Sequence, residues 1–135
     1  MRAFPIFVQA EGRTIIVFGG GADAAAKLRL VAKTQARILV VAEALVPGEI
    51  DLGAAQWVQT DPLSFAFPEN TALAYAATGD EALDAKIAAY ARANHVIVCA
   101  ADQPEVSDFI TPAIVDRHRH RGYGAGACPY GQGAD

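Results

Sequence analysis

Short apolar runs alternate with amphipathic stretches along this chain. The apolar runs are rich in β-branched residues and predict five β-strands, at residues 14–18, 37–41, 56–59, 72–76 and 96–100. Apolar residues recur at helical spacing in residues 22–34 and 81–93, which predicts two amphipathic helices. Residues 43–55 include Pro47 and Gly48, so both a short helix and a loop stay open there. Strands that alternate with helices predict an α/β fold, a Rossmann-like doubly wound parallel sheet in one domain.

Three consecutive glycines join the first predicted strand to the first predicted helix. Such a turn directs free N–H groups and the positive end of the helix dipole at an anion, typically a dinucleotide pyrophosphate. Gly19 would make the tight turn, Gly21 would let phosphate approach the backbone, and Ala24 is small where helix meets strand. The predicted phosphate-site residues are Gly19, Gly20, Gly21, Ala22, Asp23 and Ala24. Because glycine turns also serve ordinary strand–helix connections, the motif alone leaves both interpretations open.

Two further residues are predicted to contact a dinucleotide cofactor. An acidic side chain about 20 residues beyond the glycines usually binds the ribose hydroxyls, and Glu43 is the nearest to that place. A solvated loop carboxylate without a role is the equal alternative for Glu43. Thr78 follows the fourth strand and therefore belongs to the same edge of the sheet. No arginine directly follows the second strand to receive a 2′-phosphate, which favours NAD over NADP.

The composition is typical of a single soluble domain. Hydrophobic residues make up 53% of the 135 residues and charged residues 19%, which suits a sheet buried on both faces. The net charge of -4 and the scattered basic residues predict no nucleic-acid surface. The two cysteines, Cys99 and Cys128, provide neither a disulfide framework nor metal-ligand spacing, and no apolar run is long enough for a membrane span. We therefore expect a cytoplasmic protein without a metal site.

Five motifs occur in order along residues 4–117, and together they are more specific for a family than the glycines alone. They are FPIFV at 4–8, EGR at 11–13, the three glycines, ATGDEAL at 77–83 and FITPAIVDR at 109–117. On these motifs the chain resembles the N-terminal module of siroheme synthases and its free-standing relatives, the precorrin-2 dehydrogenase/sirohydrochlorin ferrochelatase family. The resemblance covers most of the chain and predicts a domain at 1–117.

This resemblance implies an NAD-dependent oxidation of the tetrapyrrole precorrin-2 to sirohydrochlorin. In some members insertion of ferrous iron follows, and the family's tetrapyrrole pocket is shared with a dimer partner, so a homodimer is implied as well. The family's functional carboxylate follows the fifth strand, and here that residue is Asp102. A carboxylate suits the chemistry, because hydride removal from a reduced tetrapyrrole and metal insertion both require protons to leave. From the residues alone, a turn or cap residue before Pro104 is the commoner role for an aspartate here, and the resemblance favours the catalytic role.

Several side chains near these motifs have structural interpretations. Asp80 is predicted to be the N-cap of the second helix rather than a catalytic group. Ser107, Asp108 and Thr111 are expected to cap and bridge their turn. Trp57, beside Val58, is expected in the core rather than stacked on a tetrapyrrole.

The chain also departs from the family pattern. Asp23 stands where the family has an apolar residue, Ala26 where it has arginine and Cys99 where it has asparagine. A carboxylate at Asp23 would repel a pyrophosphate, and Cys99 removes an amide that could orient substrate or cofactor. After Arg117 the resemblance ends, and residues 118–135 are predicted to be an irregular tail. His-Arg-His-Arg codons read one base later can encode apolar residues, so we hypothesise a frameshift near codon 117.

These departures keep other functions open. The chain could be a truncated, inactive dehydrogenase, or a non-catalytic NAD-binding sensor like the regulatory domains of potassium transporters. It could also be a structural protein with an empty cleft. The FITPAIVDR motif has no role in a sensor, which favours the dehydrogenase.

Overall fold

The computed structural model describes residues 1–112 of the chain. Residues 8–110 form one compact unit that holds all the regular elements of the described chain, and residues 1–7 with 111–112 belong to a second unit. The strands are β1 (Thr14–Phe18), β2 (Arg37–Val41), β3 (Gln56–Val58), β4 (Thr71–Ala76) and β5 (Val98–Ala100). The helices are α1 (Ala22–Val31) and α2 (Glu81–Ala93), with short 3-10 turns at Pro62–Ser64 and Pro104–Val106. The predicted tail at 118–135 and the domain boundary at 117 lie outside the described residues.

The predicted elements are all present, with small differences at their ends. Helix α1 ends at Val31 instead of residue 34, because the Thr34 hydroxyl donates to the Val31 carbonyl at 2.7 Å and closes the last turn. Strand β5 begins at Val98 instead of residue 96, since the Val96 N–H still bonds to the helical carbonyl of Ala91 at 2.9 Å. The open stretch 43–55 is a loop.

The sheet is parallel throughout and its strands lie in the order β3-β2-β1-β4-β5. The register aligns the last residues of all five strands in one row, Val58, Val41, Phe18, Ala76 and Ala100. This row defines the carboxyl edge of the sheet, where side chains from five separate segments meet. The predicted Rossmann-like α/β fold is therefore confirmed.

Each face of the sheet has its own apolar core. On one face α2 packs Ile87, Ala88 and Ala91 against the strands, together with an edge-to-face cluster of Phe18 and Phe65. On the other face α1 contributes the buried stripe of Ala24, Leu28 and Val31, and the loop after β2 covers the rest. Burial on both faces explains why the strands are continuously apolar instead of alternating.

Candidate functional site

Gly19 lies where the chain leaves β1 and passes closest to β4. A Cβ at this position would be 2.2 Å from the Ala77 carbonyl oxygen and 3.1 Å from the Ala24 Cβ, and φ is +134°. Only glycine fits this space and this backbone conformation. The small side chain of Ala24, fully buried, allows α1 to start directly behind the turn.

Gly20 and Gly21 are packed against the loop that follows β2. The Val46 N–H donates to the Gly20 carbonyl at 2.7 Å, and a Cβ on Gly20 would be 2.1 Å from the Ala44 carbonyl oxygen. A Cβ on Gly21 would be 3.3 Å from the Glu49 Oε1. The second glycine is therefore required by loop packing, which no pattern in the sequence indicated.

The N-terminus of α1 is open to an anion. Gly21 is its N-cap, and no side chain of residues 1–112 caps the first turn. The first N–H groups of a helix have no intrahelical acceptor, so those of Ala22 to Ala24 can bind phosphate oxygens. Two carboxylates flank this position, Asp23 in the first turn and Glu49 beside Gly21. The turn thus has the geometry of a phosphate site, but the two carboxylates would repel a phosphate bound there.

The other predicted residues extend from the same edge. Three predicted residues each follow the aligned row by two positions. Glu43 comes after β2, Thr78 after β4 and Asp102 after β5. Since neighbouring strands are about 4.8 Å apart, Glu43 and Asp102 are separated by three strand spacings, roughly 14 Å. Glu43 is exposed, and its backbone carbonyl accepts from the Gln59 Nε2 at 3.2 Å. The edge is therefore long enough for an extended ligand with the glycine turn near its middle.

Asp102 occupies the turn after β5 in a left-handed conformation, with φ of 58°. Its side chain is exposed and has no hydrogen-bond partner among residues 1–112. The following 3-10 turn has Gln103 as its N-cap and no side-chain cap bond, so of the two structural alternatives Asp102 is a turn residue before Pro104 and not a cap. A non-glycine residue in this region carries some backbone strain, least for aspartate and asparagine, and such residues are frequent at functional sites.

Polar side chains fix the turn that carries Asp102. The Ser107 Oγ accepts from the Ala100 N–H at 2.9 Å, and the Asp108 Oδ2 accepts from the Val98 N–H at 3.0 Å. Asp108 also pairs with Arg92 of α2 at 3.1 Å. Ser107 and Asp108 therefore bridge the turn as predicted, and they occupy the outer hydrogen-bonding positions of β5.

Thr78 is held by a residue that the sequence analysis missed, Asp84 on the inner face of α2. The Asp84 Oδ1 accepts from the Thr78 N–H at 2.9 Å and from the Thr78 hydroxyl at 2.7 Å. Asp84 lies at helical spacing from Ile87, Ala88 and Ala91, where an apolar residue is expected. A carboxylate on an apolar helix stripe was the signal that could have identified it. Asp80 is the N-cap of α2, accepting from the Ala82 and Leu83 N–H groups.

Two side chains differ from their family roles or predicted places. Cys99 is buried in the core beside its strand partner Tyr75, and burial raises the pKa of its thiol despite the opposing effect of the Lys27 charge. The prediction that Trp57 lies in the core is wrong. Its side chain is 38% exposed because β3 is an edge strand of the sheet, and the indole Nε1 donates to the Ala42 carbonyl at 2.9 Å.

A cavity of about 660 Å³ lies away from this edge, between α1 and residues 48–56. Its lining is mainly apolar, with Arg29 and Arg37 at its border. Within residues 1–112, no group of three or more histidine, cysteine or acidic side chains is arranged to hold a metal ion. No helix in that part of the chain has the length and hydropathy needed to cross a membrane.

Comparison with known proteins identifies the family. A family model described as "Putative NAD(P)-binding" matches residues 6–113. Siroheme synthase 1 of Klebsiella pneumoniae subsp. pneumoniae is 36% identical over 120 residues, which is 87% of this chain and 25% of that protein. The siroheme synthase of Gluconacetobacter diazotrophicus is 38% identical over 123 residues, covering 84% of this chain and 26% of that protein. The chain thus spans about a quarter of the length of these relatives.

A solved structure shares the fold. The precorrin-2 dehydrogenase SirC superposes with a TM-score of 0.62 at 20% sequence identity, over 87% of this chain and 58% of that one. The predicted resemblance to the siroheme synthase module is confirmed by these relatives. The prediction of a nicotinamide dinucleotide-binding domain is confirmed at the level of the family.

Proposed function

Because the chain belongs to this NAD(P)-binding family, we propose that it binds NAD along the carboxyl edge and oxidises precorrin-2 to sirohydrochlorin. One observation carries the proposal. The N-terminus of α1 and the carboxylate of Asp102, which has no hydrogen-bond partner within residues 1–112, lie on the same edge, two strand spacings or about 10 Å apart. A dinucleotide held at the glycine turn can therefore extend toward Asp102.

Different parts of the carboxyl edge contact different parts of the cofactor in this proposal. The backbone of Gly19, Gly20, Gly21, Ala22, Asp23 and Ala24 holds the pyrophosphate. Glu43 accepts hydrogen bonds from the ribose hydroxyls on the β2 side and repels a 2′-phosphate, which selects NAD over NADP. Thr78 borders the crevice on the β4 side. The residues that follow β4 and β5 would then border the nicotinamide half and the tetrapyrrole.

Asp102 takes the proton in the proposed reaction. When bound, NAD accepts a hydride, the carbon-bound hydrogen of precorrin-2 with its electron pair. The tetrapyrrole also loses one proton, and the Asp102 carboxylate receives it. Because no side chain in the described part of the chain bonds to this carboxylate, it can contact the substrate. A proton leaves Asp102 to solvent after the product dissociates, so that the oxidation yields sirohydrochlorin, NADH and a proton.

The names of the relatives support the choice of substrate. Relatives over this segment are siroheme synthases, and the structure with the shared fold is a precorrin-2 dehydrogenase. We further propose a cytoplasmic homodimer, with insertion of ferrous iron as a second activity at Asp102. Iron is a substrate in that step and requires two pyrrole protons to leave.

A binding titration and an activity assay test the proposed function. NAD binding is followed by calorimetry and by the fluorescence of Trp57, the single tryptophan, which lies beside the end of β2. Anaerobic addition of precorrin-2 and NAD then tests for sirohydrochlorin by absorbance. NADH and sirohydrochlorin in equal amounts are expected. NAD binding without turnover would contradict the dehydrogenase hypothesis and favour a non-catalytic NAD sensor. Absence of NAD binding would contradict both hypotheses.

Glu43→Gln is expected to weaken NAD binding about tenfold, because a neutral amide accepts hydrogen bonds from the ribose hydroxyls less strongly than a carboxylate. Binding of NADP should weaken much less, so the preference between the two cofactors narrows. Calorimetric titration with each cofactor measures both effects. Glu69→Gln is the matched control, since Glu69 is an exposed carboxylate that precedes β4 at the opposite edge. An unchanged preference in Glu43→Gln would leave Glu43 as a solvated loop residue.

A further inference from the structure

We propose that Asp84 is a positioning residue for the cofactor, which fixes the Thr78–Gly79 turn opposite the glycine turn and tunes the charge of the crevice between them. This inference rests on the proposed binding of NAD. It concerns a buried side chain outside the predicted site, and it assigns a role to the one carboxylate in the core of the described chain.

The hydrogen bonds of Asp84 are all directed at this turn. Its Oδ1 accepts from both the N–H and the hydroxyl of Thr78, at 2.9 and 2.7 Å. The Thr78 hydroxyl in turn accepts from the Asp80 N–H at 3.2 Å. Gly79 completes the turn with φ of 89°. One buried oxygen therefore determines the path of the backbone between β4 and α2.

This turn forms one wall of the crevice at which the sheet reverses its direction of winding. From β1 the chain moves outward to β2 and β3 on one side, and β4 and β5 lie on the other. Ligands of open parallel sheets bind in such a crevice. The Ala77 carbonyl, directly before Thr78, packs on Gly19, and the Asp23 Oδ2 is 3.8 Å from where a Gly79 Cβ would be. A shift of the Thr78–Gly79 turn would therefore change the width of the crevice.

Packing alone does not explain a carboxylate here. Asp84 is 2% exposed and shares its stripe with Ile87, Ala88 and Ala91. Burying a carboxylate is costly, and an apolar residue would fill the same stripe without that cost. The cost is offset only partly by the two hydrogen bonds from Thr78. A role in holding the crevice accounts for the residue.

The charge of Asp84 links cofactor binding to pH. Burial raises the pKa of Asp84 above its ordinary value of 3.8, while the hydrogen bonds from Thr78 lower it and the charges of Asp23 and Asp80 raise it. Asp23 faces it from α1 and Asp80 from the turn, so both elements next to it contribute negative charge. A pyrophosphate adds more, so NAD binds better to the protonated form and binding takes up protons. NAD affinity should therefore fall as the pH rises through the pKa of Asp84.

Three variants separate position from charge. Asp84→Asn keeps an acceptor oxygen for Thr78 and removes the charge, so we expect it to bind NAD more tightly than the wild type above neutral pH and to lose the pH dependence. Asp84→Ala removes both and should bind NAD about tenfold more weakly, because the turn is no longer held. Asp23→Asn should tighten binding and keep a pH dependence that is shifted to lower pH, because loss of the Asp23 charge lowers the pKa of Asp84. Kd values for NAD between about pH 5 and 8 measure all three.

A second readout does not depend on the cofactor. The Thr78 amide should exchange faster with solvent in Asp84→Ala than in the wild type, and remain protected in Asp84→Asn. If the wild type fails to bind NAD at any pH, the proposed function itself is wrong. If the wild type binds NAD but Asp84→Asn keeps its pH profile, or Asp84→Ala binds NAD equally well, the role of Asp84 is wrong and the proposed function stands.

Discussion

Asp102→Asn is expected to lower the rate of precorrin-2 oxidation by about 10²- to 10⁴-fold, the usual contribution of a general acid or base. Asparagine is the matched replacement, because it adopts the left-handed conformation of Asp102 with little strain and keeps the size of the side chain. NAD binding should stay unchanged, since Asp102 contacts the tetrapyrrole and not the cofactor in the proposed reaction. Anaerobic single-turnover absorbance gives the rate, and calorimetry gives the Kd for NAD.

Asp102→Ala extends this experiment. It should be equally inactive and also slightly less stable, because alanine tolerates a positive φ less well than asparagine. Glu105→Gln, an exposed neighbour in the following 3-10 turn, is the control for loss of negative charge and should keep full activity. Turnover at the wild-type rate in Asp102→Asn would remove this carboxylate from the mechanism and leave a strained turn without an assigned role.

Gly19→Ala is expected to destabilise the fold by about 3 kcal/mol, combining strain at positive φ with overpacking against a backbone atom. The added Cβ would be 2.2 Å from the Ala77 carbonyl oxygen. Gly19 and Ala77 cannot move apart easily, because β1 and β4 pair with each other up to the preceding residues, Phe18 and Ala76. Thermal unfolding measures the loss, and the displaced turn should no longer bind NAD.

Gly48→Ala is the matched control for this effect. Gly48 also has a positive φ, +79°, but a Cβ there would have nothing within 4 Å. It should lose only about 1 kcal/mol, the cost of an L-residue in that conformation. Equal losses in the two variants would show that the conformation of Gly19, and not its contact with β4, accounts for the glycine.

Carboxylates near the glycine turn oppose the attraction of the helix N-terminus for an anion. Asp23 and Glu49 flank an open helix N-terminus, and Asp84 lies buried behind Thr78. Helix N–H groups attract a pyrophosphate, and these side chains oppose it. NAD affinity is therefore expected to depend on pH and on ionic strength more strongly than in a site without them.

The placement of the candidate residues at one edge of the sheet could be predicted because its signals are local. The glycines, Glu43, Thr78 and Asp102 follow strands whose apolar runs are visible in the sequence, and parallel strands end at one edge. Contacts between distant segments were not predictable in the same way. The Ala44 carbonyl on Gly20, and the exposure of Trp57 on an edge strand, depend on which segments become neighbours in space.

The sequence by itself determined the strands, the helices and the turn at residues 19–21, because side-chain periodicity and glycine act within a few residues of chain. The tertiary structure alone decided how the loop after β2 packs on that turn and where the carboxylate of Asp84 is buried. In the sequence Asp84 is only a carboxylate on the apolar stripe of α2, and its contact with Thr78 exists only once α2 packs on the sheet. Its burial and its raised pKa are products of that packing, which brings α1, β4 and α2 together at one crevice.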